Sequence, residues 1–132
     1  MKQTGFSLIE LIIAMAIIGI LAVIAYPSYK THLEQARRSD GQTALLDLAN
    51  RLDHYFSENN QYAGATLAEL GVSPRSTEGY YALAIASLED NAFRIQAIPI
   101  GAQQEDACGT LSLNQLGERG FSGKNTELKH CW

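Results

Sequence analysis

Two kinds of hydrophobic order run along this chain, and they meet near Pro27. From Phe6 to Tyr26 every residue is apolar except Ser7, Glu10 and Gly19. That stretch makes roughly 31 Å of helix at ~1.5 Å per residue, which matches the ~30 Å hydrocarbon core of a bilayer. A membrane-crossing helix is the first expectation, and Lys2 alone argues for a cytoplasmic N-terminus. From Ser28 the polarity changes while the helical period persists. Tyr29, Leu33 and Ala36 recur at helical spacing, and Leu45, Leu48, Leu52, Tyr55 and Phe56 then form an i, i+3, i+4 stripe. The pattern predicts one long helix from about Phe6 to about Glu58, ended by Asn59-Asn60, with Leu45, Leu48, Leu52 and Phe56 facing a sheet.

The period then shortens to two. Residues 57–79 are a polar connector, within which Thr66-Leu67-Ala68-Glu69 has capping-box spacing and Gly71 offers a stop, predicting one helical turn. Tyr80–Leu88 alternates Tyr81, Leu83 and Ile85 with small residues, and Glu89-Asp90-Asn91 signals a turn. Ala92–Ile100 alternates Phe93, Ile95 and Ala97 with Arg94 and Gln96. After a polar loop at Gly101–Ala107, Gly109–Leu116 alternates Leu111 and Leu113 with polar residues. Strands this close in sequence make an antiparallel meander of three or four strands, wet on one face. A helix followed by such a meander is an α+β architecture. The tail Gly117–Trp132 shows little periodicity.

Composition sharpens this picture. A net charge of −4 over 132 residues argues against general attraction to nucleic acid or anionic lipid. If residues 28–132 form an exported head, Cys108 and Cys131 read as one disulfide; the alternative is a pair of reduced cytosolic thiols, which the apolar N-terminus argues against. No catalytic constellation is visible and no cofactor is expected. His32, His54 and His130 are scattered, and His130-Cys131 is better explained by the bridge than by zinc. The acidic turns Glu89-Asp90-Asn91 and Glu105-Asp106 lack the dense oxygen spacing of a dedicated calcium site, and no glycine-rich phosphate loop follows a strand. The expectation is a protein that is not an enzyme and holds no metal.

Glu10 is the residue that needs explaining. A carboxylate inside a bilayer costs ~2.5–3.5 kcal/mol on insertion scales, so a plain anchor gains nothing from it. A cleavable secretory signal is the competing explanation, but Glu10 falls where its apolar region should begin, and Pro27 follows closely on the conceivable cleavage site after Ala25. The stretch Gly5-Phe6-Ser7-Leu8-Ile9-Glu10-Leu11 resembles the class III signal of type IV pilins. The resemblance implies cleavage by a prepilin peptidase between Gly5 and Phe6, with N-methylation of Phe6. It gives Met1–Gly5 as a leader of the short, type IVa kind, residues 6–27 as a membrane and filament-core stem, and residues 28–132 as the head. It implies that Glu10 pairs with the Phe6 amine of a neighbouring subunit during assembly. Pairing offsets the penalty that an isolated carboxylate and an isolated ammonium each incur in an apolar bundle, and so sets register. It also implies a stem segment melted in the filament between the helix-weak positions Gly19 and Pro27, against the simpler reading of a packed glycine and a kink.

Near the other end, Ala107–Gly117 and the closing Cys131-Trp132 resemble the PilE-type minor pilins, and with them a disulfide-bounded C-terminal loop at residues 108–131. Trp132 reads as an apolar plug beside the bridge. The expected protein is a minor pilin of a type IV pilus serving motility, adhesion or DNA uptake. Its expected partners are other pilin subunits, prepilin peptidase and the inner-membrane assembly machinery. It would be stored in the inner membrane with a periplasmic head, then become extracellular. A major pilin, a type II secretion pseudopilin and a DNA-binding minor pilin are the alternatives. DNA binding needs clustered cations. Arg37-Arg38 lie on the long helix, and Arg119, Lys124 and Lys129 fall in the bounded loop, where Glu118 and Glu127 dilute them. A solvated mixed-charge loop is the preferred reading.

Overall fold

A computed structural model of the chain describes residues 4–124 and 126–132. Most of the leader, including Lys2, lies outside them. Helix α1 spans Leu8–Asn59 without a break. Strands β1 (Tyr81–Leu88), β2 (Phe93–Pro99), β3 (Leu111–Asn114) and β4 (Arg119–Phe121) form one antiparallel sheet in the order 1-2-3-4. A 3-10 turn at Gly101–Glu105 separates β2 from β3, and a one-turn helix α2 (Leu128–Cys131) ends the chain. Asn60 ends α1 in the left-handed region at φ 57°, a conformation that asparagine tolerates better than most residues.

Contacts divide the chain into a first unit ending at Leu33 and a second, Glu34–Trp132. In the first unit, the most apolar 18 residues of α1 have a mean hydropathy of 2.9, and none is buried. The helix is continuous through Gly19 and Pro27; the Thr31 hydroxyl donates to the Pro27 carbonyl at 3.1 Å.

The second unit holds the core. Leu45, Leu48 and Leu52 of α1 are fully buried against the inward faces of β1, β2 and β3: Tyr81 and Leu83, Phe93, Ile95 and Ala97, and Leu111 and Leu113. Each such leucine contributes about 1.5–3 kcal/mol of burial. Gly41 explains how α1 comes so close: a Cβ there would lie 2.8 Å from the Tyr81 ring. The connector is tied down twice. The Thr66 hydroxyl accepts from Glu69 N–H (3.2 Å), and Val72 N–H and Gly71 N–H bond back to Leu67 and Ala68, closing a Schellman turn with Gly71 at φ 65°. Asp40 of α1 accepts from the Ser76 hydroxyl and from Glu78 and Tyr80 N–H. Tyr62 packs between Phe56 (ring centroids 4.7 Å apart, tilted) and Phe93 (4.9 Å, edge to face), continuing the helical stripe into the connector.

Two regions differ from the sequence pattern. The segment Gly101–Ala107 is not simply a polar loop: Gln103 and Asp106 are buried, and Asp106, read as part of an acidic turn, faces Arg38. The tail, read as aperiodic, contains β4 and α2. β4 is three residues long, too short for alternation to register, and is recognised by its pairing of Phe121 with Leu111 and Arg119 with Leu113.

Candidate functional site

The first candidate site is the start of α1. Ser7 sits at the N-cap position, and Glu10, three residues on, accepts its backbone N–H at 2.7 Å, forming one half of a capping box. The first helical turn is thus closed by the residue whose charge is hardest to place in an apolar medium. Phe6 is 93% exposed beside it, and Leu8 through Tyr26 present their apolar side chains outward. A Cβ at Gly19 would meet nothing within 4 Å. The S-x-x-E spacing of Ser7 and Glu10 is a helix-start signal in the sequence itself.

The second candidate site is the bounded loop and its attachment to α1. Cys108 and Cys131 form a disulfide with both residues buried, which settles the choice between bridge and free thiols. Beside it lies a polar cluster that no sequence spacing announces. Arg38 Nε and Nη2 donate to the two carboxylate oxygens of Asp106 (2.9 and 2.6 Å), and Nη1 donates to the carbonyl of His130 (2.7 Å). Gln42, one turn on, donates to the carbonyl of Cys131 (2.8 Å). Gln103 Nε2 bonds the Glu34 carbonyl and Asp106, with the Tyr81 hydroxyl at 3.1 Å. The Asp106 side chain is 1% exposed, so Arg38 holds the segment leading into Cys108 through a desolvated, bidentate ion pair, while Arg38 and Gln42 together hold α2 through two of its carbonyls. The hydrogen bond to Asp106 raises the Arg38 pKa while burial opposes it. Burial pushes the Tyr81 hydroxyl up to about 12, against the Gln103 hydrogen bond.

The cations that DNA binding would need are placed in different surroundings. Arg38 is consumed by Asp106 and is not available to a nucleic acid. Arg37 lies over the Tyr80 ring (4.7 Å), and Arg119 over Trp132 (5.2 Å). Lys129 pairs with Glu127 at 2.8 Å, and Lys124 is exposed. Trp132 is half-buried and donates its indole N–H to Gly120 (2.9 Å), a plug with a polar handle. His54 lies 3.7 Å from Glu58, and His32 and His130 are exposed elsewhere. Among the described residues no three His, Cys, Asp or Glu are grouped to hold a metal.

With this geometry in view, residues 1–26 match the prokaryotic N-terminal methylation motif, and residues 27–112 match the family described as type IV minor pilin ComP, DNA uptake sequence receptor. The chain belongs to the type IV pilin family. This pilin is 32% identical over 127 residues to the type IV major fimbrial protein FimA of Dichelobacter nodosus, covering 96% of the chain and 79% of FimA. It is 37% identical over 79 residues to the type IV major pilin protein PilA of Myxococcus xanthus; that match spans 60% of this pilin but only 36% of PilA. The non-core minor pilin PilV of Neisseria meningitidis shares the fold, with a TM-score of 0.61 at 21% identity over 74% of this pilin and 94% of PilV. The pilin is therefore a structural subunit that assembles with other pilin subunits. Its apolar N-terminal helix suits a membrane anchor that passes into an extracellular pilus.

Proposed function

We propose that this pilin is a minor pilin. Prepilin peptidase removes Met1–Gly5, and the new terminus, Phe6, is N-methylated. Residues 6–27 hold the chain in the inner membrane, with the head 28–132 in the periplasm, until the assembly machinery extracts it. In the filament, Glu10 pairs with the Phe6 amine of a neighbour, and the stretch between Gly19 and Pro27 is the helix-weak part of the stem. Its role is structural, with no catalytic step. The observation that carries this reading is the conjunction of the methylation motif over residues 1–26 with a minor-pilin family match over residues 27–112. Mass spectrometry of sheared pili tests it. The expected mature chain starts at N-methylated Phe6 and is far scarcer than the main subunit; a chain as abundant as the main subunit would make it a major pilin.

The ComP match favours one second reading, a DNA receptor within the pilus. The side chains available for it are the exposed Arg94, Arg119 and Lys124, with Lys129 shared with Glu127. Salt-dependent duplex binding by the head, lost on Arg94→Ala with Arg119→Ala, is the expected result for that reading. Absence of binding at low salt would leave the structural role alone.

A further inference from the structure

The two ends of the bounded loop are joined twice, once through sulfur and once through α1. Arg38 and Gln42 stand one turn apart on the same face of that helix. At the early end of the loop, Arg38 grips the Asp106 carboxylate, and Asp106 Oδ1 accepts the Cys108 N–H at 3.4 Å. At the late end, Arg38 and Gln42 take the carbonyls of His130 and Cys131. Cys108 is also fixed from within the loop: its carbonyl accepts Gly123 N–H at 3.0 Å, and the Ala107 carbonyl leaves no room for a Cβ at Gly123.

None of these contacts uses a sulfur atom, so all of them are open to the dithiol. α2 is four residues long and cannot persist on its own hydrogen bonds. Its seat depends on what α1 offers it, together with the Trp132 indole N–H held by Gly120. Releasing that turn would leave the buried Arg38 short of an acceptor, which is costly for a desolvated charge.

We propose that Arg38, Asp106 and Gln42 are positioning residues for disulfide closure. They dock α2 and hold Cys108 beside Cys131 before any S–S bond exists, and the bridge then locks a turn that is already seated. Closure needs an oxidant, a small-molecule or protein disulfide met in an oxidising compartment. One cysteine thiolate attacks that disulfide and expels one thiol. The second thiolate attacks the protein sulfur of the mixed disulfide, forming Cys108–Cys131 and expelling the other thiol. Two protons and two electrons thus pass from the cysteines to the oxidant. The clamp acts on the second step, which is intramolecular and depends on how often the two sulfurs meet. Linkage makes the effect reciprocal: the factor by which the clamp favours closure is the factor by which closure strengthens the clamp.

The test equilibrates the full chain, in detergent, with oxidised and reduced glutathione, then quenches with acid, alkylates and weighs the bridged and dithiol forms. Their ratio gives the effective concentration of one cysteine at the other. Arg38→Met with Asp106→Leu leaves no buried charge behind and should lower that concentration by about tenfold or more, the scale of losing charged hydrogen bonds. Gln42→Met removes one neutral donor and should lower it about fivefold. Leu52→Ala opens a core cavity about 15 Å further along α1 and should leave it within about twofold, although it weakens the whole head. Clamp variants that match the parent, or a Leu52→Ala chain that loses closure as they do, overturn the proposal. Trp132, the single tryptophan, reads the seat directly. On reduction its emission maximum should hold in the parent and move to the red in the Arg38→Met, Asp106→Leu chain. A full red shift in the reduced parent overturns the proposal, because α2 would then leave its seat as soon as the bridge opens.

Discussion

The two halves of α1 make an instructive pair. Up to Tyr26 the helix is almost wholly apolar, and nothing on it as far as Leu33 is buried; from Glu34 on it is studded with charge and buries Arg38, Gly41, Leu45, Leu48 and Leu52. Hydropathy and burial thus run in opposite directions along one helix. High mean hydropathy reports the medium that a segment needs around it, while a 3.6-residue stripe reports that a partner lies within the same chain. The first half depends on lipid or on other helices, and the second half is stabilised by its own sheet.

Several changes would break or sharpen that contrast. The largest expected effect is on the half that has no internal partner. On the reading proposed above, Glu10→Val leaves cleavage at Gly5 largely intact but abolishes incorporation into pili, measured as sheared-filament content against total processed subunit; normal incorporation would refute the pairing role. The same substitution should leave the melting of the head unmoved. In the other half, Asp106→Ala strands the buried Arg38 charge and is expected to destabilise the head by ~3–5 kcal/mol in denaturant titration. Replacing Arg38 and Asp106 together with Met and Leu should recover much of that loss. Cys108→Ser with Cys131→Ser opens a bridge between residues 23 apart and should cost roughly 3 kcal/mol on the chain-entropy account.

The smallest effect is alkaline. Tyr62 and Tyr81 are each raised from the ordinary 10.0 to about 12, by burial above all. A folded-state pKa above the unfolded one means that stability is full below about pH 10 and is lost as pH rises towards 12. The head's thermal midpoint should fall across that window, and Tyr62→Phe with Tyr81→Phe should flatten the fall. A midpoint that stays level in the parent chain would show that these hydroxyls ionise without resistance.

Where the sequence was legible, a repeat carried the information. The stripe Leu45, Leu48, Leu52 and the alternation of Phe93, Ile95 and Ala97 have periods that local geometry imposes, and both sets are buried as expected. Thr66 with Glu69 and Gly71 followed turn chemistry for the same reason. Arg38 and Asp106 lie 68 residues apart and have no period, so their pairing could be found only in three dimensions. β4 escaped because its order is borrowed from β3. The start of α1 lies between these cases: the Gly5, Phe6 and Glu10 pattern was readable as a family signal, and the Ser7–Glu10 contact as capping spacing. What a neighbour does with Glu10 is a property of an assembly and not of one chain.

That Ser7–Glu10 contact has a consequence for supply. A carboxylate that closes its own helix end carries a hydrogen-bond partner wherever the helix goes, instead of waiting for another subunit to provide one. On the reading proposed above, chains of this kind can be held one by one in a bilayer as a standing stock. Each is complete enough to wait, and the exchange of a Ser7 amide for a neighbour's amine marks the moment at which a stored molecule becomes a building part.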